Sequence, residues 1–185
     1  MGNREDLLLG ARNCLFDKGY ARTTVRDIAT AAGVSMAAIG YHFGTKEALL
    51  TAALAEATEE WGADLQQALA AIPEIDADPW ARIAHRWDAV LATVATHRGM
   101  WSATFDALAH PEIRAQLAGN LDEARAGLVR LLDDADPGET SSRSTGMLYQ
   151  ALLIGVAAQY LIDPDNAPTG HELAEALRRI AVPVR

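Results

Sequence analysis

A single cysteine, Cys14, in 185 residues leaves no partner for an intrachain disulfide and excludes a multi-cysteine zinc site. It sits beside Leu15 in a helical pattern, so it reads as a buried structural thiol. The chain also lacks a His-x-x-x-His pair, a phosphate-binding glycine loop and a nucleophile motif. No run approaches the ~18 consecutive apolar residues of a membrane span. The opening MGNREDLLLG is charged too early for a secretory signal and leads straight into a helical pattern. These absences point to a cytoplasmic protein with no membrane partner, no metal and no cofactor.

Half of the residues are hydrophobic, enough for a packed core. Alanine is abundant, β-branched runs are rare, and apolar residues recur at spacings of three and four, which is an all-α pattern. The net charge of −9 is unevenly spread. Residues 1–50 hold six Lys/Arg against five Asp/Glu, a balance of +1, while the remainder carries −10. Only the first quarter could rest comfortably against phosphates.

The spacing predicts about nine helices. The first spans Arg4–Lys18 and stops at Gly19. Thr24 caps the second, with Asp27 completing a short capping box, and Gly33 ends it. Ser35 caps the third and Thr45 the fourth, which runs to Ala71. After the acidic loop PEIDADP, Asp78 and Pro79 open a helix to His97. Others follow over Met100–Ala109 and from Pro111 to Leu132. The stretch DDADPGETSS reads as a loop, Ser144–Leu161 as a very apolar helix, and Glu172–Ile180 as the last amphipathic one.

Ala29, Gly33 and Ile39 stand at spacings of four and six, as a helix-turn-helix requires. A small residue lets two helices approach, a glycine takes the left-handed turn, and an aliphatic residue anchors the second helix. Ile28, Ala32 and Val34 supply the surrounding core. With Ile39 inward, Met36, Ala37, Gly40 and Tyr41 are left outward. Small residues there give a helix clearance to enter a major groove ~12 Å wide, and also leave it few base-reading donors. Arg26 is the best donor for a guanine edge. Lys46, in a first helical turn, opposes the helix dipole unless a phosphate lies at the same N-terminus. Thr24, Tyr41 and His42 can each bond a phosphate, although Tyr41 and His42 also fit plain packing roles between helices.

The run LFDKGYARTTVRDIATAAGVSMAAIGYHFGTKEALL, within Leu8–Leu50, resembles the N-terminal domain of TetR/AcrR transcriptional regulators. The resemblance covers about a quarter of the chain. It implies an all-helical homodimer with a three-helix DNA-binding domain, residues 1–48, and a helical-bundle ligand-binding and dimerisation domain, residues 49–185. It also implies DNA contacts from Thr24, Arg26, Ser35, Met36, Ala37, Tyr41, His42 and Lys46. Where Gly40 stands the family usually has a tyrosine, and glycine there loosens the helix by ~1 kcal/mol relative to alanine.

Beyond Leu50 the reading is physical. All four tryptophans fall between 61 and 101. Trp80, Trp87 and their helical neighbours form one stripe, and Met100, Trp101 and Phe105 another. Such stripes serve as core, or line a pocket together with Trp61 and polar handles drawn from His85, Asp88, His97, Thr104 and Gln150. The resemblance favours the pocket, for a small apolar or aromatic effector. Leu148, Leu152, Gly155, Val156, Gln159 and Tyr160, with Leu173 and Leu177 on the last helix, form an apolar surface suited to a four-helix dimer interface, or to the core of the domain.

The leading reading is thus no enzyme but a dimeric repressor on a palindromic double-stranded operator, released by an effector. Two alternatives stay open: a DNA-binding regulator without a ligand, and a helical enzyme using His85, His97, Asp88 and Asp106.

Overall fold

The computed structural model describes residues 3–73, 78–133 and 139–181. Among them are ten α-helices, one 3-10 turn and no strand. The helices are α1 (Asn3–Lys18), α2 (Val25–Ala32), α3 (Met36–Phe43), α4 (Lys46–Ala70), α5 (Pro79–Thr96), α6 (Arg98–Ala107), α7 (Pro111–Gly119), α8 (Leu121–Leu132), α9 (Glu139–Ile162) and α10 (Gly170–Ala181). The helix expected from Pro111 to Leu132 is two, parted at Asn120 after Gly119. Part of DDADPGETSS, expected as loop, is the start of α9, and residues 134–138 lie outside the described residues, as do 74–77 of the acidic loop.

The chain forms two compact units, one of residues up to Trp61 with Arg98–Ala118, the other of Gly62–His97 with Gly119 onward. In the first, α1 and α2 meet at a glycine: a Cβ on Gly10 would lie 2.9 Å from the Ala32 nitrogen and 3.1 Å from the Ile28 carbonyl. Leu7, Ala11, Leu15, Ile28, Ala29 and Ile39 close the core around that approach. Thr23 is buried with them, its hydroxyl donating to the Gly19 carbonyl at 2.7 Å and engaging the Cys14 carbonyl at 3.2 Å. Helix α6 joins this unit: Gly99 packs against the Phe16 ring, and the Asp106 carboxylate accepts the Tyr20 amide at 2.6 Å.

In the second unit α10 lies along α5, and α8 along α9. Thr169 and Glu172 form a capping box that opens α10. The same N-terminus is pinned by Asp88, which accepts the Gly170 amide at 2.7 Å. Val90, Val94, Val129, Val156 and Ala157 are buried here.

Leu153, Val156 and Ala157 of α9 face inward, whereas Met147, Leu148, Ala151, Ile154 and Ile162 are exposed. By length and composition Arg143–Ile162 is apolar enough to cross a membrane, and 22% of that window is buried in the chain.

A side chain at Gly170 would land on the Ala84 carbonyl oxygen and within 2.7 Å of the Asp88 nitrogen. Both are backbone of α5, which cannot rotate aside. Gly170→Ala is therefore expected to lower the unfolding free energy by about 1–3 kcal/mol in chemical denaturation, and an unchanged midpoint would refute this packing.

Candidate nucleic-acid interface

The α2–turn–α3 unit is built from its caps. Thr24, in extended backbone, accepts from the Asp27 amide at 3.2 Å, and Asp27 in turn accepts from the Thr24 amide at 3.0 Å. The same carboxylate draws the Thr24 hydroxyl at 2.7 Å and the Lys18 ammonium at 2.6 Å. The Lys18 bond, and then those to Thr24, hold the Asp27 carboxyl well below the usual carboxylate range. The same bond raises the Lys18 ammonium. Gly33 takes the left-handed conformation at φ 66°, and the Val34 amide returns to the Ala29 carbonyl at 3.0 Å. This turn lets α3 leave α2 with Ala38 and Ile39 buried.

Against that frame the expected contact residues divide. Arg26 is exposed, and no acceptor engages it among the described residues. Ser35 stands at the N-cap of α3, but its hydroxyl makes no cap bond, contrary to the expected capping; it remains exposed at the helix start. Met36 (57% exposed), Ala37 and Tyr41 (86% exposed) form an outward face with Gly40. A Cβ on Gly40 would meet nothing within 4 Å. The absence of a side chain at Gly40 therefore has no cause in the packing of the chain itself. Tyr41 and His42 stand edge to face with ring centroids 4.9 Å apart.

Lys46 is turned inward. Its ammonium donates to the Thr23 carbonyl at 3.2 Å, lies 3.5 Å from the Glu47 carboxylate, and stands 6.0 Å from the centre of the Tyr20 ring. The unfavourable dipole position is thus offset in part within the fold, by tying α4 to the loop before α2. The Thr24 hydroxyl is likewise engaged by Asp27.

The residues expected to line a pocket fall in both units. In the first, Trp61 and Trp101 meet edge to face at 5.2 Å, with the Phe105 ring centre 6.3 Å from that of Trp101. Met100 is buried beside them in sequence, and Thr104 donates back to its carbonyl at 2.9 Å. The indole N–H groups of Trp61 and Trp101 are both buried with no acceptor among the described residues. In the second unit Trp87 is buried, Trp80 half-buried and His85 exposed, while Gln150 accepts from Arg125 at 2.8 Å.

Three of the groups considered for an enzyme site are engaged in structural contacts. Asp88 anchors α10, Asp106 holds Tyr20, and His97 pairs with Asp64 at 2.8 Å. No group of three or more His, Cys, Asp or Glu among the described residues could hold a metal ion.

A capped α2 and a second helix, α3, with an open outward face, joined through a left-handed glycine, have the architecture of a helix-turn-helix protein. Residues 7–53 match the family described as bacterial regulatory proteins, tetR family. The HTH-type transcriptional repressor AcnR of Corynebacterium efficiens is 31% identical over 133 residues, 68% of this chain and 69% of that protein. Among solved structures, the multidrug binding protein EbrR complexed with imidazole superposes with a TM-score of 0.69 at 25% identity, over 98% of this chain and 90% of its own. A TetR family member from Streptomyces coelicolor gives 0.69 at 25% identity over the whole of both chains. The chain belongs to the TetR family. It is a transcriptional regulator with a DNA-binding helix-turn-helix, and not an enzyme.

Two outcomes follow from this geometry. Because Gly40 is helical and unobstructed, Gly40→Ala should raise thermal stability, by about 0.5–1 kcal/mol; a loss would mean the position is packed. Because the folded Asp27 carboxyl lies below its unfolded value, its stabilisation is complete above pH ~4 and fades as pH falls through the depressed range. Asp27→Asn should be less stable at neutral pH and show a shallower acid decline, as measured by melting between pH ~2 and ~6.

Proposed function

We propose that the chain is a dimeric repressor that reads a palindromic operator through α3 and releases it on binding a small apolar or aromatic effector. One observation carries the reading: the outward face of α3, Met36, Ala37, Gly40 and Tyr41, is exposed and carries a glycine that nothing inside the protein requires. Clearance for a duplex supplies the reason. Arg26 then reads a base edge, and Ser35, Tyr41, His42 and Thr24 line the backbone, with the N–H groups of Lys46 not given to Thr23 turned to phosphate. Residues 1–48 serve DNA and 49–185 serve effector and partner. Repression follows the AcnR relatives, and the cytoplasm is where such a regulator meets its operator.

Dimerisation is supported by the exposed apolar face of α9. Of the residues assigned to the interface, Leu148 and Gln159 are exposed and Leu152, Gly155 and Tyr160 half-buried, alongside the exposed Met147, Ala151, Ile154 and Ile162. Such a face is unusually apolar to leave in water. Val156 is buried within its own unit and backs the face rather than forming it. Leu173 and Leu177 are half-buried on the side of α10 that carries Gly170 and Ala174, the side nearest α5. The effector is supported by the two buried indole donors, for which a bound acceptor would supply the missing partner. EbrR, described as a multidrug binding protein, sets a precedent for small-molecule binding on this fold. An effector's leverage on DNA equals its differential affinity for the two states.

Selection from a random duplex pool by the purified protein should enrich an inverted repeat with half-sites about one helical turn, ~34–36 Å, apart. Enrichment of a single unrepeated site would refute the dimeric reading, and no enrichment would refute operator binding by the free protein.

A further inference from the structure

The six cations of residues 1–50 are not equally available. Arg12 is paired with Glu60 at 2.5 Å, Lys18 with Asp27, and Lys46 with Glu47 and the Thr23 carbonyl. Arg22 donates to the Lys18 carbonyl at 2.7 Å. Two remain exposed with neither a carboxylate nor a hydrogen-bond acceptor engaging them among the described residues: Arg26, already assigned to a base edge, and Arg4.

Arg4 opens α1, far in sequence from the helix-turn-helix, yet its guanidinium carbon lies 5.3 Å from the centre of the Phe43 ring. Phe43 is the last residue of α3 and follows directly on Tyr41 and His42. The ring contact holds the charge at the end of the recognition helix without using an N–H donor on an acceptor. The acidic neighbours Glu5 and Asp6 do not neutralise it, since residues one and two apart on a helix do not face each other. The arrangement is a tethered guanidinium with its hydrogen-bonding edge open, next to the side chains that flank the groove.

We propose that Arg4, positioned by Phe43, binds a DNA phosphodiester beside the C-terminal end of α3, a contact outside the helix-turn-helix itself. This rests on the operator-binding reading above. A phosphate contact is blind to sequence and releases counterions, so it leaves a signature that a purely structural arginine lacks.

The test is fluorescence anisotropy with the selected duplex and a scrambled duplex of equal length, titrated from ~50 to ~300 mM salt. For Arg4→Gln the slope of log affinity against log salt should fall by about 0.9 per bound protomer, on both duplexes alike. Arg4→Lys, which keeps the charge, should retain most of the slope, and both variants should melt with the wild type. If the wild type binds neither duplex, the operator reading and this inference both fall. A wild type that binds, with the slope unchanged in Arg4→Gln, overturns this inference alone. A loss confined to the selected duplex overturns it too, since Arg4 would then touch a base. A lowered melting temperature with an intact slope would mean that Arg4 only steadies the end of α3.

Discussion

The close crossing of α1 and α2 at Gly10 is the constraint on which the first unit depends. With Ala32 and the Ile28 carbonyl about 3 Å from where a Cβ would stand, any larger residue would drive the two helices apart. That crossing buries Ile28 and Ala29 against Leu7, Ala11 and Leu15, and only then does the left-handed turn at Gly33 aim α3 so that Ile39 is covered. The outward face of α3 is what remains once those inward positions are taken. Its direction is a consequence of packing on the other side.

Polar contacts complete this frame. Asp27 gathers its own helix cap, the Thr24 hydroxyl and Lys18 into one cluster at the start of α2. Lys46 ties the start of α4 to the Thr23 carbonyl, and Asp106 of α6 accepts the Tyr20 amide. The segment Gly19–Thr24 is therefore held from α1, α4 and α6 together. A displacement of any of these helices would reach the start of α2 through hydrogen bonds to backbone, which have little slack.

Local chemistry made much of the fold legible. Thr24, Asp27, Gly33, Asp78 with Pro79, and Gly19 marked helix ends because each acts within four residues of itself, through a cap, a fixed φ or a left-handed turn. Periodicity located the helices for the same reason. The break at Asn120 is not marked in the sequence because nothing in the apolar spacing changes there, and the start of α9 is not marked because Glu139–Ser142 is a polar run without apolar spacing. The Thr169–Glu172 box is a local signal of the same kind, a threonine followed three residues later by a glutamate.

By itself, then, the sequence determined the all-helical class, the helix-turn-helix spacing and which residues of α3 turn outward, because these depend on neighbours a few positions away. Only the tertiary structure decided which charges are free. Lys46 looked like an open phosphate ligand and is tied inward, Asp88 and Asp106 looked like site carboxylates and hold backbone amides, and Arg4 came to rest on Phe43. A charged side chain's availability is set by whatever acceptor or ring the fold brings to it across tens of residues. No local pattern encodes that partner.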